Sequence, residues 1–237
     1  IELRTELGGS ESVHITVIFP DFTEKSKLEH LWNKLNVNLK IADQIEANGN
    51  DLVYVNFENA SNIIKELNGL ISIHSGRKSN SIENITNALS YKQAIKKDIA
   101  NNVDFYEIGN ENDIIGYESK VFPDIDKIIP LVRGSDNHNI LEYQLKFNCW
   151  IKADLTFEGL KQVIIQPKER VYIGDIPPRL KQIENKPNQF IDTIKIEKVP
   201  NPKHKKEKWF DSTNTIPLNS GMVAIIGGKG SGKSALS

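Results

Sequence analysis

The chain is nearly devoid of sulfur, with one cysteine and one methionine in 237 residues. The lone Cys149 excludes an internal disulfide framework and fits a reducing compartment. Beside Trp150 it reads as a small buried side chain. Long hydrophobic runs are absent too. No stretch approaches the ~20 apolar residues that a membrane-crossing helix needs, and no secretory signal opens the chain. The cytoplasm is the expected location, with no membrane partner. An excess of either charge is also missing. With 30 basic and 31 acidic side chains the net charge is −1, which excludes bulk attraction to nucleic acid or lipid and leaves only local patches for such a role. There is no internal repeat, no low-complexity tract, and no Ser-His-Asp or Cys-His arrangement of the kind nucleophilic catalysis requires. The sequence starts at Ile1 without an initiator methionine and stops at Ser237; the expectation is a piece cut from a longer protein at both ends.

What is present is an ordinary globular composition, 38% hydrophobic and 26% charged, enough for a sizeable core in one large domain or two smaller ones. β-Branched residues at 13–19 predict a buried strand. Leu28, Leu31, Trp32 and Leu35 follow at helical spacing behind a capping-box pair, Asp21 and Glu24. Residues 51–57 predict a short strand. Ile63, Ile64 and Leu67 mark a helix stopped near Gly69. Residues 70–74 predict a strand ending in His74, 88–101 a helix, and 103–108 a strand stopped at Gly109. Phe157, Leu160 and Ile164 share a helix face behind a candidate N-cap, Thr156, and 170–174 predict a short strand. Strands alternating with helices argue for an α/β fold with a parallel sheet or barrel. Ile176-Pro177-Pro178 reads as a boundary. Beyond it residues 190–199 alternate as a half-exposed antiparallel strand does, 200–208 form a basic hairpin tip with His204, and 222–226 read as a buried strand.

The chemistry-bearing residues fall into two groups. In Leu131-Val132-Arg133-Gly134-Ser135-Asp136-Asn137-His138 a short apolar run leads to a carboxylate and an imidazole two positions apart. Residues i and i+2 of an extended segment point the same way, so Asp136 and His138 can chelate one ion, although a turn Asp and a surface His have the same spacing. His74 and Glu107 also lie at or near strand ends. In a parallel α/β array those ends converge on one face. Glu107 continues the side of its strand that carries Val103 and Phe105, and a buried carboxylate needs a partner or a cation. Glu2, just before the first strand, is a further candidate. His14 reads instead as a packed, hydrogen-bonded histidine. His30 faces solvent on the first helix. Arg77 and Lys78, just after His74, are candidates for holding a substrate phosphate, with a solvated loop as the other reading.

The second group is Gly227-Gly228-Lys229-Gly230-Ser231-Gly232-Lys233-Ser234, which fits G-x-x-x-x-G-K-[ST] directly after an apolar run. Its glycines let backbone N–H groups turn toward phosphate oxygens, Lys233 would neutralise β/γ-phosphate charge, and the Ser234 hydroxyl would hold Mg²⁺. The cofactor expected there is ATP with Mg²⁺. No Walker B carboxylate follows, so the segment reads as the opening of an ATPase domain. Its preceding antiparallel strand is closer to an ABC- or SMC-type head than to a Ras-like GTPase.

Taken together, Ile1-Glu2-Leu3, the strand ending in His74, the strand carrying Glu107, and Gly134-Ser135-Asp136-Asn137-His138 resemble a PHP domain, the polymerase and histidinol phosphatase type of metal-dependent phosphoesterase. The run from Trp150-Ile151-Lys152-Ala153-Asp154 through Phe157-Glu158-Gly159-Leu160-Lys161-Gln162, then Pro167, Arg170-Val171 and the P-loop, resembles the TrlF-like family, in which an AAA- or SMC-like ATPase follows the PHP module. The resemblance implies a distorted (β/α)7 barrel over residues 1–178, incomplete at its N-terminal strand, and the start of a P-loop ATPase domain over 179–237. It implies a cluster of two or three divalent ions (Mn, Zn or Fe) on Glu2, His74, Glu107, Asp136 and His138, with the family's H-x-H ligands expected upstream of Ile1. It implies a nuclease-like phosphoesterase coupled to ATP binding or hydrolysis, a homodimer formed through the ATPase domain, and DNA repair or anti-phage defence as the setting. The alternative is an ATPase whose PHP module is a non-catalytic structural or sensing platform.

Overall fold

A computed structural model describes residues 1–6, 12–20, 24–35, 54–83, 92–135, 137, 139–143, 148–197 and 212–236. Asp21 of the expected capping box, residues 51–53 of the expected second strand, residues 88–91 of the expected helix, the basic tip at 200–208, and the two candidate ligands Asp136 and His138 lie outside the described residues. The chain divides into two compact units, Ile1–Asp175 and Ile176–Ser237.

The first unit is mixed α/β. Its strands are β1 (Glu2–Glu6), β2 (Ser12–Ile18), β3 (Val55–Asn56), β4 (Leu70–Ser75), β5 (Phe105–Ile108) and β6 (Leu131–Val132). They form one sheet in the order β3-β1-β2-β4-β5-β6. Helices α1 (Lys25–Lys34), α2 (Phe57–Glu66) and α3 (Lys92–Asn102) alternate with them. Between β5 and β6 lie α4 (Asp113–Gly116), a π-helical turn (Tyr117–Val121) and α5 (Phe122–Ile125). The β1–β3, β4–β5 and β5–β6 pairings are parallel, as the strand-helix alternation predicts. The β1–β2 and β2–β4 pairings are antiparallel. For β1–β2 the reason is chain length. Only residues 7–11 separate the two strands, too few for the crossover that parallel neighbours require.

Period-2 alternation gives this sheet two different faces. Leu3, Val13, Ile15, Val17, Ile71, Ile73, Tyr106 and Ile108 point to one side and pack with Leu31, Phe57, Ala60, Ile63 and Ile64 into the main core. Helix α2 fits this face because its apolar residues recur at three- and four-residue spacing. It starts where Asn56 Oδ1 accepts the Asn59 N–H at 2.9 Å. That cap ends β3 after two residues, so the strand expected over 51–57 gives way to a helix at Phe57. Leu28 and Trp32 lie in α1, but their side chains lie outside the described residues.

The opposite face is apolar over only part of its area. There Leu70 and Phe105 pack with Phe157 and Val163 of α6 (Phe157–Ile165), and with Ile18, Val132, Leu160 and Ile164. Helix α6 and the short α7 (Pro167–Arg170) connect β7 (Cys149–Ile151) to β8 (Val171–Ile173), which pair antiparallel. Cys149 is half-buried, and that burial raises its thiol pKa.

The second unit contains α8 (Pro178–Asn185), an antiparallel ribbon of β9 (Thr193–Ile196) with β10 (Ser212–Pro217), and a single helical turn, α9 (Lys233–Leu236). Of the antiparallel strand expected over 190–199, the structure shows Thr193–Ile196, exposed without alternation up to Ile196, and residues 198–199 lie outside the described residues. Residues 222–226, expected as a buried strand, form no strand, and Met222 and Ile226 are each 89% exposed. A strand needs a hydrogen-bonding neighbour and a layer to cover it. Among the described residues of this unit β9 and β10 pair with each other and nothing pairs with 222–226. No helix among the described residues is long and apolar enough to cross a membrane.

The N-cap of α6 is as expected: Thr156 Oγ1 accepts the Gly159 N–H at 3.0 Å. Replacing Thr156 by Ala should lower stability by about 1 kcal/mol, read as a lower urea midpoint at unchanged slope.

Candidate metal centre

The half of the second sheet face that α6 does not cover is polar. Glu2 on β1, His14 on β2 and His74 on β4 lie there, because each alternates with the core-facing residues Leu3, Val13, Ile15, Ile73 and Ser75. The antiparallel register sets Arg4 opposite His14 and Ile15 opposite Ile73, so His14 and His74 are cross-strand neighbours with ring centroids 5.3 Å apart. One ligand atom each from Glu2, His14 and His74 falls within 4.8 Å of the others. A carboxylate oxygen and two imidazole nitrogens form a donor set suited to a divalent transition ion.

The hydrogen bonds orient this set. His74 Nδ1 lies 3.1 Å from the Ser79 carbonyl oxygen. Only a protonated Nδ1 can donate to that acceptor, which leaves the Nε2 lone pair free for a ligand, the arrangement usual for metal-bound imidazole. His14 Nδ1 lies 2.9 Å from Glu2 Oε1, and Asn80 Nδ2 donates to His14 Nε2 at 3.2 Å, so both His14 nitrogens are hydrogen-bonded and an ion here would have to replace one of these contacts. Burial lowers the His74 pKa, and the Lys78 charge lowers it further; the Ser79 bond and Glu107 oppose them. The net direction favours the neutral imidazole, the form that ligation needs.

Parallel pairing of β4 with β5 places Glu107 directly beside His74. Glu107 Oε2 is 4.0 Å from His74 Nε2, and Glu107 Oε1 is bound by the Lys78 ammonium. Both side chains of that ion pair are only 12% exposed. Burial of a lone carboxylate is costly, and Lys78 supplies the compensating charge.

The turn between His74 and Glu83 is fixed from below. Gly76 adopts φ 64° and packs against Asp113, so no side chain fits at this position. Its N–H is shared between Glu83 Oε2 at 2.7 Å and Tyr117 Oη at 3.0 Å, and the Tyr117 hydroxyl also meets Glu83 Oε1. Asp113 Oδ2 accepts the Arg77 N–H at 2.9 Å, and its other oxygen lies 3.4 Å from the Arg77 guanidinium.

Of the residues singled out in the sequence, Glu2, His74 and Glu107 come together on one sheet face. His14, read as a packed histidine, joins them. The signal that could have found it is its alternation with Val13 and Ile15, which puts it on the face opposite the core. Arg77, considered for phosphate, is paired to Asp113, and Lys78 to Glu107. His30 is exposed on α1, as expected.

In the second unit the glycine-rich loop has Gly230 and Gly232 at φ 80° and 85°, in the left-handed region that favours glycine. Lys233 Nζ donates to the carbonyls of Gly227 at 2.6 Å and Gly228 at 2.8 Å, folding its side chain across the loop.

No protein-family model, curated protein or solved structure matches the chain.

Burial raises Glu83 from 4.5 to about 7. Protons therefore remain on the folded state where the unfolded state has lost them, and stability should fall as pH rises from 4.5 to 7. Glu83→Gln should flatten that slope, measured as urea unfolding free energy against pH.

Proposed function

We propose that the first unit is a metal-dependent phosphoesterase domain of PHP type, nuclease-like in its chemistry, and that the second opens a P-loop ATPase domain of the TrlF-like kind. The observation that carries the first half is the meeting of Glu2, His14 and His74 within 4.8 Å, with His74 Nδ1 committed to a carbonyl so that Nε2 is available. A donor set of one carboxylate and two imidazoles fits Mn²⁺, Zn²⁺ or Fe²⁺. When bound, such an ion polarises a phosphoryl oxygen and lowers the pKa of its water. The protein's own part is to hold both imidazoles in place and to set a positive charge, Lys78, beside them. Asp136 and His138 would add to the ligands. The parallel strands β4, β5 and β6 agree with a barrel of the (β/α)7 type, whose closure belongs to this proposal.

The second half rests on the Gly227–Ser234 motif and on the positive φ of Gly230 and Gly232. Lys233 would leave its two carbonyls for a nucleotide phosphate, with Mg²⁺ on Ser234. Dimerisation through the ATPase domain, a nucleic-acid substrate and a role in repair or defence belong to the same proposal. The rival reading of the first unit is a non-catalytic platform, and the Lys78–Glu107 ion pair fits it as well as it fits a centre with fewer metals.

Three variants separate these readings. His74→Ala should weaken Mn²⁺ binding by more than about 10-fold and remove Mn²⁺-dependent cleavage of DNA, RNA or small phosphoesters. Asp136→Ala should lose the same cleavage. Lys233→Ala should keep metal and cleavage but lose binding of a fluorescent ATP analogue. Unchanged metal content in His74→Ala would refute the assignment. Metal-independent ATP binding with no cleavage by the wild type would favour the platform.

A further inference from the structure

We infer that the Lys78 ammonium occupies the place of a second cation, so that the centre takes one divalent ion, at Glu2, His14 and His74, with a built-in positive charge beside it. This rests on the metal-site reading above and narrows it, since the resemblance implies two or three ions.

The geometry around Glu107 carries the inference. In a two-metal site a carboxylate commonly lies between the ions, one oxygen toward each, with the ions about 4 Å apart. Glu107 has that divided arrangement. Its Oε2 faces His74 Nε2 at 4.0 Å, on the side of the imidazole and Glu2 group. Its Oε1 is taken by Lys78 Nζ. Glu107 thus has an imidazole beside one oxygen and an ammonium on the other, where the bridging carboxylate of a binuclear site has a metal on each.

The ammonium is built in and does not lie there as a mobile surface charge. Lys78 is as buried as its partner. Its backbone N–H bonds the Ser75 carbonyl at 3.4 Å. The two residues before it are pinned, Gly76 by Glu83 and Tyr117, and Arg77 by Asp113. On the far side Glu107 Oε1 lies against Gly134, where an added Cβ would sit 2.6 Å from it. The carboxylate is thus held from both sides. A dication arriving at Oε1 would have to displace a half-enclosed ammonium and leave it beside a second positive charge, which like-charge repulsion opposes. Chemically the ammonium can do what a second metal does for a phosphate, which is to bind a non-bridging oxygen as a point charge.

The test is metal stoichiometry, read by equilibrium dialysis against Mn²⁺ and elemental analysis of the 237-residue chain. One Mn²⁺ per wild-type chain is expected. Lys78→Met should rise to two, because Glu107 is freed for a second ion, whereas Lys78→Arg should stay at one. The double variant Lys78→Met/Glu107→Gln removes the buried pair together and should return to one, which covers the case in which Lys78→Met alone does not fold. Two or more ions in the wild type, or one ion in a folded Lys78→Met, would overturn the single-metal inference and leave the metal-site reading standing. No ion in the wild type would overturn both.

Discussion

A carboxylate enclosed on a sheet face must be neutralised, and much of the first unit is arranged around that demand at Glu107. The β4–β5 register brings it beside His74, and the turn that follows β4 returns Lys78 to it. That turn is shaped by a glycine at positive φ and tied beneath by Glu83, Tyr117 and Asp113, residues far apart in sequence. The same turn supplies the Ser79 carbonyl that orients His74 and the Asn80 amide that reaches His14. One compact loop therefore sets both the charge and the imidazole geometry of the centre. The main core on the other side of the sheet makes this possible, because it holds the strands in register without asking the polar face to contribute apolar area.

The sequence was most informative where a local rule decides the outcome. Thr156 caps α6, Leu70 to His74 form a strand, and the α/β character follows from alternation; all are consequences of period and capping read within a few residues. The antiparallel start of the sheet was legible in principle from the short 7–11 connection. His14 is packed and hydrogen-bonded as its sequence suggested, but its closeness to His74 was not legible, because a single strand does not say which strand pairs beside it. That depends on a neighbour, and β4 lies more than fifty residues later. The Lys78 to Glu107 pair was illegible for a similar reason: a lysine in a polar turn looks solvated until the turn is seen to fold over the neighbouring strand. Residues 222–226 erred in the opposite direction, since an apolar β-branched run predicts burial only where a partner layer exists.

The two units differ in what holds their functional residues. In the first, hydrogen-bonded strands and a closed turn fix each donor against its neighbours. In the second, the glycine-rich loop is organised by its own backbone and by Lys233 crossing back over two carbonyls. The lysine ammonium donates to both carbonyl acceptors at once.

Among the described residues, the first unit's sheet has strands of two residues at both edges, β3 at Val55–Asn56 and β6 at Leu131–Val132, with its longer strands inside. An edge this short offers few free backbone donors and acceptors to another chain. Edges of this length leave the sheet a poor template for edge-to-edge aggregation, whatever its polar face carries.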